Sequence, residues 1–490
     1  MGKKTLAAVD FGASSGKMAV ADFDGAQLRI REYRDFVNRP VFIGTALYWD
    51  VFSFYNQILD GLAYCKKAWG EPDTAAVDTW GATYGLLDRQ GRLLEPVYHY
   101  RDNRTASVIQ QMRQVLSDRE LFDLTGCQCN RTYTLPQLYS CVAAGEDTLE
   151  RADKLLFLPD LLSYFLCGST DTEKTFAGTS CLLDTTLEQW SLPLLEKFRI
   201  PSRLFTPLTD PGTLRGRLSP HVRQETGLTG TRLVAAVEHD SASAVAAIPN
   251  FGEGKLYISV GTAVSMGVER RSCLLGEEAF RRGFKNTGGI GGSKIVYRDF
   301  SACWLINEFR RSARETGTDY SHPDLMRIAE ENGPAGAVID SECAAFNEIG
   351  GDIREKINDY LRRTGQRELE GDGAFIRCIL ESIALKIAHY ARAFREVCGE
   401  YSEALAINGG TRNVLLMQYV SSALGRPLKA GIPYATLAGN LLTQLYATGD
   451  VSGVDQMREI SAGSFEMREY LPQDAGYWSE LTEKFESICK

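Results

Sequence analysis

The pattern of apolar and polar positions predicts alternating strands and helices along most of the chain. Residues 6–9 form a short apolar run that stops at Asp10, and residues 18–23 resume one after a turn of small residues. Residues 27–36 alternate well enough for a third strand. Residues 51–69 repeat at helical spacing through Phe54, Ile58, Leu62 and Cys65, with Asp50 as a plausible N-cap. Strands are then expected at 74–78 and 83–88, and a strand or loop leading into a buried helix across 155–168. The hydroxyl-rich stretch 175–186 reads as a strand pair. A strand at 233–237 meets a small-residue helix at 241–248, and 255–269 repeats the opening strand–turn–strand. Residues 286–292 read as a glycine loop, and 299–310 as the way into a helix. Further on, 373–401 reads as a long amphipathic helix, 404–424 as strand, glycine turn and helix, and 437–446 and 477–488 as helices. Strands, then helix, then strand, in each half, describe a mixed α/β protein.

Length and composition narrow the function. At 490 residues the chain exceeds the roughly 250–300 at which single cores stop growing, so two domains are expected. A net charge of −9 argues against broad binding to nucleic acid or to anionic membranes, although local N–H groups can still hold a nucleotide. No apolar run approaches the roughly 20 residues of a membrane span, and residues 1–10 lead straight into a strand without a leader pattern. The 12 cysteines are scattered; Cys127 and Cys129 are the one close pair, and the histidines lack ligand spacing near them. Reduced thiols in a cytoplasmic protein are the expectation, with no zinc site or disulfide framework.

Three stretches carry candidate chemistry. In the opening turn, Ala13, Ser14, Ser15 and Gly16 are small and Lys17 follows. Backbone N–H groups, two hydroxyls and an ammonium suit phosphate oxygens. Asp10 cannot help an anion directly; it makes sense if a cation, Mg²⁺ first, lies between it and the phosphates. The loop lacks Walker A spacing and opens a strand, which separates it from P-loop and dinucleotide-binding turns; a plain hairpin with a polar loop is the simpler alternative. Asp78-Thr79-Trp80-Gly81 falls at a strand end, where α/β proteins bind ligands, and residues 99–104 read equally well as a sugar-lining cluster or a solvated ion-pair loop. Glu238-His239-Asp240-Ser241 stands at a strand-to-helix junction. There Asp240 serves either as a helix cap or as a general base accepting a hydroxyl proton during phosphoryl transfer. Gly261-Thr262 repeats the hydroxyl-bearing turn in the second half, and Gly409-Gly410 with Asn413 offers flat backbone and a polar contact to a ligand.

Taken in order, VDFGASSGK, DTWG, YRDNRT, EHDSASA, SVGT, NTGG and NGGTRN resemble the FGGY carbohydrate kinases, and among these the set is most similar to the kinases of L-rhamnulose. The resemblance covers nearly the whole chain. It implies two RNase H-like domains of the actin, Hsp70 and sugar kinase superfamily around a central cleft, and ATP-dependent phosphorylation of a ketose at its 1-hydroxyl. By analogy Ala13 to Lys17 and Thr262 hold ATP phosphates, with Asp10 near Mg²⁺, directly or through water. Asn307, Gly409, Gly410 and Asn413 lie near the rest of the nucleotide. Trp80, Gly81, Arg101, Asp102, His239, Ser241 and Asp299 line the sugar, with Asp240 as base.

The expected division is a sugar-binding domain over 1–248, a nucleotide-binding domain over 249–453, and a segment 454–490 packing back on the first. Ala263 stands where the similar kinases carry Trp, Thr287 where they carry an acid, Asp299 for a substrate-contacting Asn, Asn307 for a nucleotide-contacting Gln and Asn408 for a glycine. These departures leave the kinase chemistry intact and open the sugar identity to L-fuculose, xylulose or ribulose. A sugar or nucleotide sensor without turnover is the second class, and a retained Asp240 argues against it. Oligomeric state is not legible.

Overall fold

The computed structural model of the chain describes residues 3–347 and 350–489. The chain forms two compact units. The first comprises Met1–Phe251, Glu269–Tyr297 and Ala435–Phe465; the second comprises Gly252–Val268, Arg298–Tyr434 and Glu466–Lys490.

In the first unit β1 (Lys4–Phe11), β2 (Ser15–Phe23), β3 (Leu28–Val37), β4 (Thr74–Thr79), β5 (Thr213–Arg217) and β6 (Arg232–Ala235) form one sheet in the order β5-β6-β4-β1-β2-β3. Strands β1, β4 and β6 run parallel, and β1 and β4 pair in a register that sets Asp10 against Asp78. Side chains alternate across the sheet. Ala7, Val9, Ala75, Val77 and Leu233 face the helix Val51–Trp69 through its Phe54, Ile58 and Leu62. Asp50 caps that helix by accepting from the Ser53 N–H at 3.0 Å. Ala76, Val234 and Ala236 form a separate small cluster.

The second unit repeats the plan. Strands β7 (Lys255–Val260), β8 (Ala263–Arg270), β9 (Glu403–Ile407), β10 (Leu428–Gly431) and β11 (Met467–Tyr470) lie in the order β8-β7-β9-β10-β11. The first pair is antiparallel, the next two pairs parallel and the last antiparallel. Each unit thus has an antiparallel hairpin, parallel partners beside it and one antiparallel edge strand.

The structure departs from the sequence reading at four places. Residues 175–186 are strand only at Leu183–Asp184, which pairs with Gln189–Trp190 beyond the stretch; at its start Glu173 accepts from the N–H groups of Thr175 and Phe176 at 2.8 and 3.0 Å and caps a helical turn, Lys174–Ala177. The glycine-rich stretch at 286–292 is largely a hairpin, with Lys285–Gly288 paired to the start of Lys294–Ser301, so Asp299 lies on a strand and the helix begins at Trp304. The helix Ala435–Ala447, expected in the nucleotide domain, belongs to the first unit, where Gln444 bonds the Ala7 carbonyl and Thr74. The end of the chain is split: residues up to Phe465 stay with the first unit, while the terminal helix Ala475–Ile488 packs in the second, its Tyr477 donating to Glu381 at 2.8 Å and its Trp478 lying on Tyr419.

Candidate active site

In the first unit the parallel strands end on acids. Asp10 and Asp78 lie next to last on β1 and β4, and Asp240 opens the helix Asp240–Ala246 after β6. Burial, and then the charge of Asp240, push the Asp10 carboxyl up to about 7. Burial and the neighbouring Asp10 push Asp78 well above the usual carboxylate range. Asn440 holds Asp78 with a 2.6 Å hydrogen bond, and Gln444 donates to Asn440 at 2.8 Å, so a buried polar relay from helix Ala435–Ala447 orients this carboxyl. Two adjacent carboxyls, both raised by burial and one of them also by its neighbour, mark a place that a divalent cation would stabilise. Asp10 and Asp78 are therefore the carboxyls that fit Mg²⁺. Among the described residues no group of three or more His, Cys, Asp and Glu is placed to close a metal site. Mg²⁺ keeps waters and phosphate oxygens and takes one or two carboxylates.

Asp240 is not the helix cap; His239 occupies that position. Asp240 Oδ1 accepts from the Ser241 N–H at 2.5 Å and from the Ser241 hydroxyl at 3.0 Å, and lies 3.5 Å from His239 Nε2. Asp240 Oδ2 makes no hydrogen bond among the described residues and remains an acceptor. The turn before it is pinned. The Thr79 N–H donates to the Glu238 carbonyl at 2.9 Å, and the His239 N–H to the Thr175 hydroxyl at 3.4 Å.

The opening loop presents Ser14 and Ser15 to solvent, with Ala13 and Lys17 half-buried and Gly16 buried. Asn38 latches the loop, donating its N–H to the Ser14 carbonyl at 3.1 Å and its amide to the Gly12 carbonyl at 2.5 Å. The Lys17 ammonium pairs with Glu32 at 2.8 Å and Asp35 at 3.3 Å.

Trp80 is buried, its indole N–H donating to Thr83 at 2.8 Å, and it packs on Trp49 with ring centroids 4.4 Å apart. Gly81 abuts the Thr179 side chain, whose hydroxyl accepts from the Ala82 N–H at 3.1 Å. Asp102 is buried and accepts from the N–H groups of Leu47 and Arg104 at 2.7 and 2.9 Å, so its carboxyl organises the loop. Arg101 is exposed, lying over the Tyr100 ring. Burial raises the Tyr100 phenol and the charge of Asp240 adds to that, which puts the ring within electrostatic reach of Asp240.

In the second unit Thr262, Asn307, Gly409, Gly410 and Asn413 line one cavity of about 490 Å³, with Ile306, Met326 and Leu416 as apolar lining. Its walls are two strand ends and two helix starts. The Trp304 N–H donates to the Thr262 carbonyl at 2.9 Å and ties the β7–β8 turn to helix Trp304–Glu315. Gly410 lies against the end of β7, where a Cβ would sit 2.8 Å from the Val260 carbonyl oxygen, so no larger residue fits. Asn408 takes φ +70°, a conformation that favours glycine, and steadies it with a 2.9 Å hydrogen bond to Ser259. Asn413 caps helix Val414–Leu424, accepting from the Leu416 N–H at 2.9 Å. Asp299 lies exposed on its strand, close enough for its charge to add to burial in raising the Tyr257 phenol.

The sequence reading placed Asp78 at a ligand-binding strand end without giving it a role, and passed over Asn440, Asn38 and the Thr175–Thr179 turn. One signal was available for Asp78: residues 7–10 and 75–78 both read Ala-Ala-Val-Asp, two like strands ending on the same acid. The others depend on contacts distant in sequence.

The FGGY family of carbohydrate kinases matches along the chain, its N-terminal domain over residues 6–247 and its C-terminal domain over residues 256–448. The chain is 33% identical over 489 residues to a protein named rhamnulokinase from Bacteroides thetaiotaomicron, covering all of both chains. It is 30% identical to a rhamnulokinase from Ligilactobacillus salivarius, covering 98% of each. In fold it is similar to a ligand-bound xylulose kinase from Lactobacillus acidophilus, with a TM-score of 0.83 at 13% identity over 99% of this chain and 97% of that one. A Plasmodium falciparum glycerol kinase with ADP gives 0.81 at 15%, with the same shares covered. With both halves matched in order and full-length relatives at a third identity, the chain is a carbohydrate kinase of the FGGY family.

Proposed function

We propose that this chain transfers the γ-phosphoryl group of ATP to the 1-hydroxyl of a ketose, L-rhamnulose before others, giving ADP and the ketose 1-phosphate. The observation that carries the reaction is Asp240, at the crossover from β6, with one carboxylate oxygen unengaged and its charge felt at Asp10. The choice of L-rhamnulose is supported by the full-length relatives named rhamnulokinase.

Phosphoryl transfer asks mainly for positioning and charge stabilisation. Asp240 Oδ2 accepts the hydroxyl proton as the sugar oxygen bonds to phosphorus and the bond from phosphorus to the ADP oxygen breaks. His239 and Ser241 hold the sugar beside it, with Gly81 giving close approach. Ser14, Ser15, Lys17 and Thr262 are the phosphate-holding groups of this reading, and Gly409, Gly410, Asn307 and Asn413 the nucleoside-holding ones. Mg²⁺, when bound at Asp10 and Asp78, supplies charge neutralisation on the phosphates.

A second reading keeps the chemistry and changes the sugar. It is favoured by Thr287, buried on the hairpin strand with no partner for its hydroxyl among the described residues, where the similar kinases carry an acid. Release of ADP from Mg-ATP, measured against L-rhamnulose, L-fuculose, L- and D-xylulose, L- and D-ribulose and glycerol, decides between them. A highest kcat/KM for L-rhamnulose upholds the first reading; another ketose in that place moves the specificity. Silence on every sugar with ATP still bound removes turnover.

A further inference from the structure

Behind the Asp240 turn lies a buried ion cluster that the proposed chemistry does not use. Arg215 is on β5, at the edge of the first unit's sheet, where a charged side chain would ordinarily point to water. Its side chain is 0% exposed. The reason is a β-bulge. Thr213 and Leu214 pair with Ala235 and Val234, but the next pair is Gly216 with Leu233, so Arg215 is the extra residue. Gly216 takes φ +121°, which a side chain would resist. A bulge redirects a side chain, and this one turns the guanidinium inward.

The same guanidinium nitrogen, Nη2, bonds Asp160 on the first turn of helix Leu158–Cys167 and lies 3.3 Å from Glu238 Oε2; Nε is 3.6 Å from Asp171. Glu238 is fully buried and lies two residues before Asp240. Its backbone N–H donates to Glu173 at 3.3 Å, and Glu173 receives the Thr175 hydroxyl at 2.5 Å, which in turn accepts from the His239 N–H. Each residue of the turn before Asp240 is therefore tied to this cluster: Glu238 by side chain and backbone, His239 by backbone. One arginine facing two fully buried carboxyls, with the half-buried Asp171 beside them, is poor stabilisation, since burying charge costs more than imperfect pairing returns. Apolar packing would serve the core better. A bulge, a strained glycine and a buried arginine converge on the residue that leads into the base.

We propose that Arg215 is a positioning residue for Asp240, acting through Glu238 to fix the backbone of the Glu238-His239-Asp240 turn. This rests on the reading of Asp240 as the base. Its loss lowers turnover without altering nucleotide binding in the second unit. Displacing a reacting group by about an ångström costs on the order of a hundredfold in rate, so a loosened turn is expected to lose between about tenfold and a hundredfold.

The test uses the full chain with three variants. Glu238→Gln is isosteric and removes the charge that Arg215 grips. Arg215→Lys keeps the charge and loses the forked geometry. Asp240→Asn is the comparator. For each, kcat and KM for the sugar found above, the dissociation constant for ATP and the melting temperature are measured. The expected result is a kcat lower by about tenfold or more in both Glu238→Gln and Arg215→Lys, with ATP affinity unchanged. The double variant should be no worse than the poorer single one, because both act on one device. Wild-type kcat in folded Glu238→Gln and Arg215→Lys, or losses that multiply in the double variant, overturns the proposal while an inactive Asp240→Asn leaves the base intact. Full turnover in Asp240→Asn overturns the reading beneath it instead. Should Arg215→Lys fail to fold, Glu238→Gln alone decides by its kcat.

Discussion

The first unit ends β1, β4 and the β6 crossover on Asp10, Asp78 and Asp240; the second ends the equivalent β7 and β9 on Gly261-Thr262 and Asn408-Gly409-Gly410. The two sheets share the order of edge strand, parallel strands and hairpin, and the chemistry at the strand ends is opposite. Buried carboxyls attract cations and protons. Glycine N–H groups, a hydroxyl and amides in a cavity without an acid accept an anion and an apolar base. A kinase needs both, and they conflict if placed together, because an acid that serves as base repels the phosphates. The cavity of the second unit avoids that conflict by having no acid in its lining.

The largest expected break in this comparison is Asp240→Asn. It removes the proposed base from the first unit and leaves the cavity of the second untouched. Turnover should fall by about 10²–10⁴, the range for loss of a general base, while equilibrium ATP binding stays within twofold. Single-turnover kinetics beside ATP titration measure both; a parallel loss of ATP binding would tie the acid to the nucleotide site.

Gly410→Val should do the reverse. Its Cβ would meet Val260 at the wall of the cavity, so the KM for ATP should rise by more than about tenfold with the sugar KM unchanged. Equal effects on both substrates would mean that the glycine shapes the unit as a whole.

How much of this was legible depended on range. Hairpins, the helix Val51–Trp69 and the β9 turn are local patterns, and so were the glycines and Asp240. The five nucleotide positions named from the second half line one cavity because four of them sit at the two strand ends, with Asn307 on the helix tied to one of them. What did not show in sequence is long-range. Helix Ala435–Ala447 joins the first unit through Gln444 bonding Ala7, 437 positions away. The bulge at Arg215 leaves no mark in Leu-Arg-Gly-Arg until its partner strand is known. At 175–186 threonine's preference for strands misled, because Glu173 supplies a cap that a reading of propensity does not anticipate.

A pH experiment probes the acidic unit by itself. The Asp10 carboxyl is raised to about 7 against an unfolded value near 4. A raised acid contributes stability that is full below the unfolded pKa and lost as pH rises through the folded one. Without divalent metal, the melting temperature of the wild type should therefore fall relative to Asp10→Asn between about pH 4 and pH 7, and Mg²⁺ should restore part of it. Parallel melting curves for the two proteins across that window would show that Asp10 does not titrate there.

The smallest expected effect sharpens the comparison from the neutral side. Asn413 lines the cavity, yet its side-chain oxygen caps helix Val414–Leu424. Aspartate caps a helix as well as asparagine does, so Asn413→Asp should keep the melting temperature within about a degree while placing a negative charge beside the nucleotide. If the second unit works because it carries no acid at its strand ends, the KM for ATP should rise a few-fold, and added salt should narrow the gap by screening the new charge. Asn413→Ala separates the two roles: it loses the cap, worth about 1 kcal/mol, without adding charge. A larger KM in the alanine variant than in the aspartate one would assign the residue to nucleotide contact; the reverse order assigns the penalty to charge, and with it the reason that this unit ends its strands without acids.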